Sequence, residues 1–401
     1  MSYDIGIFCF YELDAETTFM LTTRPPAISR YGRPLLISLL LGLSFGVPTS
    51  ANAKDIVIAQ IAPLTGVQAG AGKAYAAGLR LGFDAVNASG GINGSVVRLV
   101  SVDDAYKPED TVRLAKEIIA RENPVALAAT VGTANADALI KAGVISSSGI
   151  PLIGPSSGAT SVIGQPGVFV TKASYADEVN QLFITLNSMG LTRVAVLFQD
   201  DGYGRDLLAS AMVLAPKYKI ELIAQSPYDR ITGNVEPAVA ALLKADAQVI
   251  FLAAISAPAA SFIKAYKQRG GNAMLIGPSP IDVSYLQKQL SKELLRGYVA
   301  STVGPVESRT SLPIIREYLK LKAASPSADY GTRSLEGYVT ARVIVTALQR
   351  GKATPEGLSG SLKALRGLDL GGMSVDFADL KRGGSSYVDF VTIDRMGAMI
   401  R

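Results

Sequence analysis

The chain of 401 residues contains no histidine and a single cysteine, Cys9. Histidine is the usual general base of serine hydrolases, the commonest metal ligand and the side chain that titrates near neutral pH. Its absence argues against a Ser-His catalytic site and against a metal site built on imidazoles. We therefore predict no catalytic residue, no metal site and no cofactor.

Residues 154–158, Gly-Pro-Ser-Ser-Gly, nevertheless fit the G-x-S-x-G pattern of the nucleophile elbow of α/β-hydrolases. A serine hydroxyl becomes a good nucleophile only when a neighbouring base takes its proton, and no histidine is present to serve Ser156. A Ser-Lys pair remains an alternative, although no S-x-x-K pattern surrounds this serine. We expect the chain not to be an enzyme and keep a serine hydrolase that uses Ser156 as an alternative.

The amino-terminal segment has the pattern of a secretory signal peptide. Arginines precede a short apolar run at 35–47, and Ala51-Asn52-Ala53 follows it with the small-x-small pattern of a signal peptidase site. The run is too short to span a membrane. We predict a leader and signal peptide at residues 1–53, cleavage after Ala53 and export to the periplasm. Cys9 lies in that segment, so the exported chain is expected to have neither a disulfide nor a lipid-anchored cysteine.

Length and charge limit the possible partners. The net charge is +5, and the basic residues are scattered without a run or interleaved aromatics. We read this as a solvated surface and predict no nucleic-acid partner. The exported part is longer than one hydrophobic core usually holds, which predicts two domains.

Short β-rich runs alternate with helical stretches from residue 54 onward. A first series starts with a strand at 55–62 and a helix at 73–88, and a second starts with a strand at 193–199. Such alternation predicts βαβ units, so we expect an α/β fold with two doubly wound parallel-sheet lobes. The last expected elements are two long helices and two short strands, at 311–323, 333–349, 373–377 and 387–393.

The loops at the carboxyl ends of the expected strands are the candidate binding loops, because open parallel sheets bind ligands there. They are rich in glycine, serine, threonine and proline, and several lead into helices. Free backbone N–H groups at a helix start, together with hydroxyls, suit an anionic group such as a carboxylate. The six loops are 63–72, 131–137, 154–161, 199–204, 254–258 and 277–282.

Several segments in a fixed order resemble a known family. They are IAPLTG at 61–66 and the segments at 78–94, 102–119, 172–179, 196–206 and 334–348. Together they resemble the solute-binding proteins of ABC transporters of the leucine/isoleucine/valine-binding type, with the periplasmic binding protein type I fold. The resemblance covers essentially residues 54–401.

The resemblance implies two lobes joined by three hinge crossovers, with a ligand held in the cleft between them. It places lobe 1 at 54–172 plus 304–377, and lobe 2 at 173–303 plus 378–401. It also implies closure of the two lobes around the ligand and recognition of the closed form by ABC permease subunits in the inner membrane.

The resemblance also assigns candidate ligand contacts. The first binding loop supplies a hydroxyl and backbone groups to the ligand carboxylate, here Thr133 with Ala134. The loop after the next strand supplies further hydroxyl and main-chain groups, here Ser156, Ser157 and Gly158. In this interpretation the paired serines hold a carboxylate by hydrogen bonds and are not acylated.

Further candidates come from the second lobe and the first hinge. Tyr203 matches the aromatic residue of the family's D-x-x-Y-G element, and Tyr175 lies just past the first hinge. Ile255 replaces an aromatic residue that is common in its loop. We predict that all three contact the ligand.

Ser279 is the remaining candidate contact and a departure from the family pattern. Amino-acid binders of the family typically carry an acidic residue at this position, after Gly-Pro, to hold the ligand ammonium. An ammonium buried without a carboxylate is costly, although Asp282 or Asp201 could substitute. Two ligand classes therefore stay open: a branched-chain amino acid, and an aromatic or aliphatic acid without an amine.

These observations predict a soluble, monomeric periplasmic receptor that binds a small carboxylate-bearing solute for an ABC importer. A ligand-sensing domain is an alternative function, and the serine hydrolase is a second one.

Overall fold

A computed structural model describes residues 54–400, so the leader and signal peptide expected at residues 1–53 lie outside the described residues. The first part of the chain forms a parallel sheet and the helices that connect its strands. The strands are β1 (Ile56–Ala62), β2 (Val97–Asp103), β3 (Ala126–Ala128), β4 (Leu152–Ile153) and β5 (Val168–Phe169). The helices are α1 (Ala69–Ala88), α2 (Pro108–Glu122), α3 (Thr133–Lys141) and α4 (Val144–Ser148). The strand order in this first sheet is β2-β1-β3-β4-β5.

The chain then builds a second sheet. Its next strands are β6 (Arg193–Gln199), β7 (Glu221–Tyr228), β8 (Val249–Ala253), β9 (Met274–Gly277) and β10 (Val299–Thr302). The helices are α5 (Tyr175–Ser188), α6 (Gly202–Leu214), α7 (Glu236–Leu242), α8 (Ser256–Gln268), α9 (Val283–Gln289) and α10 (Lys292–Leu295). Every pairing among these five strands is parallel.

The chain returns to the helices that pack on the first sheet, adds a separate two-stranded antiparallel sheet, and then crosses once more. The returning elements are α11 (Pro313–Ala324), α12 (Thr332–Arg350), α13 (Pro355–Lys363), β11 (Leu368–Asp369) and β12 (Ser374–Val375). The final strands, β13 (Asp389–Ile393) and β14 (Met399–Ile400), add antiparallel to the second sheet. Its order is β14-β13-β10-β9-β8-β6-β7. Among the helices of residues 54–400, none combines the length and apolar character that crossing a bilayer requires.

The predicted α/β fold with two parallel-sheet lobes and three crossovers is confirmed. The chain passes between the sheets after β5, after β10 and after β12. The residue limits given above for the two lobes stay a prediction. We refer below to the first-sheet half and the second-sheet half, meaning each sheet with the helices packed on it.

Several boundaries differ from the sequence-based expectation by one or more residues, and two of these differences have a clear physical reason. The first helix begins at Ala69 instead of residue 73, because Gly72 packs so closely on Pro63 that a Cβ would lie 1.9 Å from the carbonyl oxygen of Pro63. This tertiary contact outweighs the low helix propensity of glycine. The sequence also predicts a strand over 220–224, which the structure extends as β7 to Tyr228, through Pro227. An edge strand tolerates proline, which has no N–H to donate, because no further strand pairs with its outer side.

The hydrophobic core joins the two halves. One buried cluster contains Ile61 and Leu127 of the first sheet together with Val196 and Phe251 of the second. Phe183 of α5 belongs to the same cluster. The two halves therefore touch over a continuous apolar region in this conformation.

Glycine contacts bring α1 and α12 together. A Cβ on Gly78 would lie 1.9 Å from the carbonyl oxygen of Ser334, and a Cβ on Gly337 would lie 2.4 Å from that of Tyr75. Only glycine permits backbones to approach so closely. The contact holds the first turn of α12 against Tyr75, and this turn carries charged residues described below.

We expect Gly78→Ala to lower the free energy of unfolding by about 1–3 kcal/mol, because its methyl group forces the two helices apart. Gly70→Ala is the matched control on the same helix, since a Cβ there meets no atom of the described residues within 4 Å. It should leave stability unchanged or raise it by about 0.4–1 kcal/mol. Urea unfolding followed by circular dichroism measures both, and equal stability of the two variants would contradict the close contact.

Candidate functional site

Residues that follow strands of both sheets line one small cavity, which we call the inner cavity. Its volume is about 20 Å³, room for roughly one water molecule. Its aromatic side chains are Tyr106, Tyr175 and Tyr203, and its polar ones are Gln68, Thr133, Ser156 and Arg333. Ile255 and Pro280 complete the wall on the second-sheet side.

Helix starts converge on the inner cavity. Thr133 is the first residue of α3, Tyr175 the first of α5, and Tyr203 the second of α6. Ile255 immediately precedes α8, and Arg333 is the second residue of α12. The amino-terminal end of a helix carries a partial positive charge and unpaired N–H groups. The starts of α3, α8 and α12 therefore add partial positive charge around the cavity, whereas acidic side chains at the starts of α5 and α6 offset it there.

The predicted ligand contacts divide into two groups. Thr133, Ser156, Tyr175, Tyr203 and Ile255 line the inner cavity. Ala134, Ser157, Gly158 and Ser279 do not line it. Their role as ligand contacts remains a prediction in either case.

Ser157 supports the cavity wall from behind. Its Oγ lies 2.8 Å from Oγ1 of Thr133 and accepts a hydrogen bond of 3.2 Å from the N–H of Ala159. The backbone of Ser156 is held in turn by a 2.8 Å hydrogen bond to the carbonyl oxygen of Thr130. Ser156 therefore lines the cavity, whereas Ser157 lies behind it and orients the hydroxyl of Thr133.

Gly158 and Ser279 also have structural partners. The carbonyl oxygen of Gly158 accepts a 2.9 Å hydrogen bond from the N–H of Tyr175. Ser279 donates to the Glu178 carboxylate from both its N–H (2.7 Å) and its hydroxyl (2.8 Å). Glu178 also accepts from the hydroxyl of Ser301. Burial raises the pKa of Glu178, and the nearby positive charge of Lys172 offsets part of that rise.

The aromatic walls are rigid. The rings of Tyr175 and Tyr203 meet edge to face with centroids 5.3 Å apart. The Tyr203 hydroxyl donates a 2.9 Å hydrogen bond to the carbonyl oxygen of Ala254. Burial raises the pKa of both phenols, so they stay neutral. These walls suit an apolar or aromatic solute body.

A buried charge network lies at the first turn of α12. The Glu336 carboxylate accepts hydrogen bonds from Arg333 Nη1 (2.9 Å) and Tyr75 Oη (2.5 Å), and Lys172 Nζ lies 3.5 Å from it. Burial alone raises the pKa of Glu336, but the positive charges of Lys172 and Arg333 outweigh it and hold that pKa below its usual value. Burial also lowers the pKa of Lys172. The carboxylate of Glu336 is therefore ionised and already has several donors.

Arg333, Tyr106 and Gln68 also line the inner cavity, although they are not among the residues predicted from the sequence. For Arg333 a signal existed: a cation in the first turn of a helix opposes the helix dipole, so a nearby counter-charge or anion is expected. Arg333 is 3 % exposed, and its Nε has no hydrogen-bond partner among residues 54–400.

The acids suggested as substitutes for the family's ammonium-binding residue cap helices instead. Asp201 accepts from the N–H groups of Tyr203 (2.9 Å) and Gly204 (3.3 Å). Asp282 accepts from the N–H of Ser284 at 2.8 Å. Neither acid lines the inner cavity. Within residues 54–400, no group of three or more histidine, cysteine, aspartate or glutamate side chains is arranged to hold a metal ion.

A larger pocket adjoins the inner cavity, and we call it the outer pocket. Its volume is about 130 Å³. Gln68, Ala71 and Arg333 line both spaces. Asp282 and Lys288 line only the outer pocket. Arg333 therefore lies where the two spaces meet.

Side chains cross from the second-sheet half to the first around the cavity. Arg230, which follows β7, donates hydrogen bonds to the carbonyl oxygen of Tyr106 (2.7 Å) and to Oδ1 of Asn135 (2.9 Å). Its guanidinium carbon lies 4.0 Å from the centroid of the Tyr106 ring. Asp206 of α6 accepts a 3.0 Å hydrogen bond from the N–H of Thr160. These contacts close the cleft over the inner cavity.

The chain is similar to several known proteins over most of its length. A substrate-binding periplasmic protein from Ralstonia solanacearum has a crystal structure with a TM-score of 0.83 and 41% identity, and the match covers 86% of this chain and 99% of that one. A Leu/Ile/Val-binding protein homolog 8 from Brucella suis biovar 1 (strain 1330) is 24% identical, over 82% of this chain and 86% of the relative.

An amino acid binding protein from Pseudomonas aeruginosa is 25% identical over 59% of this chain, and the match spans 63% of that relative's length. The model of the family described as "Periplasmic binding protein" matches residues 55–397. This match covers the first sheet, the second sheet up to β13, and every loop that lines the inner cavity. The chain therefore belongs to the periplasmic binding protein family.

Proposed function

We propose that this chain is the periplasmic solute receptor of an ABC importer and that it binds a small carboxylate-bearing solute in the inner cavity. The observation that carries the proposal is the convergence of helix starts and hydroxyls on that cavity. The Thr133 and Ser156 hydroxyls and the positive helix ends suit a carboxylate, which accepts hydrogen bonds and carries negative charge.

The relatives support the class of solute. The proteins from Pseudomonas aeruginosa and Brucella suis are named for binding amino acids, and an amino acid carries a carboxylate. The solute of this chain is either a branched-chain amino acid or an aromatic or aliphatic acid. Its partners are the permease subunits of the importer, and the receptor acts as a monomer.

Closure of the two halves provides the transport signal. Because the inner cavity has room for roughly one water molecule, a solute enters only when the halves separate. The halves then close on the solute with a cavity wider than in this conformation, and the contacts of Arg230 and Asp206 across the cleft adjust to it. The free energy of solute binding shifts the open–closed equilibrium towards the closed form, which the permease recognises.

Binding requires no covalent step at Ser156. Among the described residues that line the cavity with it, none is a lysine, aspartate or glutamate that could take its proton. Lys172 is paired with Glu336 instead. A hydroxyl without a base acts as a hydrogen-bond group.

Replacing Ser156 and Ser157 together by alanine should weaken binding of the cognate acid roughly 10- to 100-fold, because hydrogen bonds to a charged group are lost and Thr133 loses its partner. The acid is found by a thermal-shift screen over carboxylates and amino acids, and isothermal titration calorimetry then measures its Kd. Ser146→Ala is the control, since this exposed serine on α4 bonds only the carbonyl oxygen of Gly143 among its described contacts. Unchanged affinity in the double variant, with wild-type circular dichroism, would contradict the proposed site.

Export to the periplasm generates a separate prediction. When the full chain is expressed in a Gram-negative host, the periplasmic fraction should contain a protein that begins at Lys54. Edman sequencing or mass spectrometry of the purified protein identifies that residue. A retained amino terminus, or a mature start far from Lys54, would refute the predicted cleavage.

A further inference from the structure

The side chains that line the inner cavity carry a net positive charge. Arg333 is the only ionisable acid or strong base that lines it within the described part of the chain, and the other titratable side chains there are tyrosines. Helix starts add partial positive charge on several sides. No carboxylate of the described residues lines this cavity.

The carboxylates near the cavity already have hydrogen-bond partners. Asp282, which lines the adjoining outer pocket, accepts from the N–H of Ser284 and the hydroxyl of Thr332. Glu336 accepts from Arg333, Tyr75 and Lys172. Glu178 accepts from Ser279 and Ser301 and lies outside the cavity lining. An ammonium group entering the cavity would meet a guanidinium and positive helix ends, without a carboxylate to offset its lost hydration.

The guanidinium of Arg333 can donate a further hydrogen bond from its Nε–H. Its Nη1 bonds Glu336 and lies 3.4 Å from Oη of Tyr75, while its Nε–H has no partner among the described residues although the side chain is 3 % exposed. Buried guanidinium N–H groups are normally hydrogen-bonded. Thr133 and Ser156 line the same 20 Å³ space as Arg333, so an acid group bound there lies next to all three residues.

We propose that Arg333 binds the acid group of the solute, and that this selects an acid without an amine over an amino acid. The proposal rests on the receptor function proposed above and names its solute class. Arg333 supplies a charge-assisted hydrogen bond in addition to those from the hydroxyls. A zwitterion gains the same bond but brings an unpaired ammonium close to the guanidinium.

The test uses two matched sets of probes on the purified chain that begins at Lys54. One set is 3-phenylpropanoate, its primary amide and phenylalanine, and the other is 4-methylpentanoate, its primary amide and leucine. Calorimetry should give, in at least one set, an acid that binds on the order of 100-fold more tightly than both its amide and its amino acid.

Arg333→Gln should abolish this preference, so that acid and amide bind within a few-fold of each other. Arg333→Lys should restore part of it, because the positive charge returns without the guanidinium geometry. Arg230→Gln is the matched control: it removes a half-buried arginine that crosses the cleft but does not line the inner cavity. It should weaken acid and amide by the same factor and leave their ratio unchanged. A merely structural role for Arg333 would give that same result in Arg333→Gln.

The outcomes separate this proposal from the receptor function. If an amino acid binds more tightly than its acid, or if Arg333→Gln keeps the wild-type acid-to-amide ratio, the role of Arg333 is wrong while the receptor function stands. If the acids, amides and amino acids all fail to bind the wild-type chain, the proposed receptor function is itself contradicted. Melting curves of each variant show whether it is folded, and the probe comparison on the wild-type chain tests the selectivity even if Arg333→Gln does not fold.

Discussion

The buried carboxylate of Glu336 is the constraint on which the site depends. It joins Arg333 of its own helix, Tyr75 of α1 and Lys172 of the first crossover. A buried carboxylate is tolerated only when charges and hydrogen bonds replace its lost hydration, so these partners are fixed together. Because Glu336 takes one edge of the guanidinium, Arg333 is held in the wall of the cavity with Nε still available.

The helix packing makes this arrangement possible. Gly78 and Gly337 permit α1 and α12 to approach at backbone distance, so that the first turn of α12 reaches Tyr75. Lys172 joins the same network from the crossover that follows β5. The crossover that follows β5 is thus connected directly to a residue of the cavity wall. In the proposed receptor, a solute bound at Arg333 acts on a network that includes this crossover.

The alternation of strands and helices could be predicted because it follows from the spacing of apolar residues within short windows of the sequence. The same pattern predicted the positions of the loops that follow β3, β4 and β6. Thr133, Ser156 and Tyr203 follow from those loops, and the cavity contains all three. Arg333 was not predicted because it comes from a helix that the chain adds after its second crossing. The local pattern of residues does not show that the first turn of α12 lies beside the first sheet, because that position depends on the packing of α12 on α1. Tyr106 was missed for a similar reason, because its loop reaches the cavity through the contact with Arg230.

A crystal structure of the chain with 3-phenylpropanoate or 4-methylpentanoate, whichever binds more tightly, tests the central claim most directly. The account predicts a carboxylate oxygen about 3 Å from a guanidinium nitrogen of Arg333, a typical hydrogen-bond distance, with Glu336 still paired to Nη1. A solute held only by Thr133 and Ser156, with Arg333 making no contact to its acid group, would contradict it.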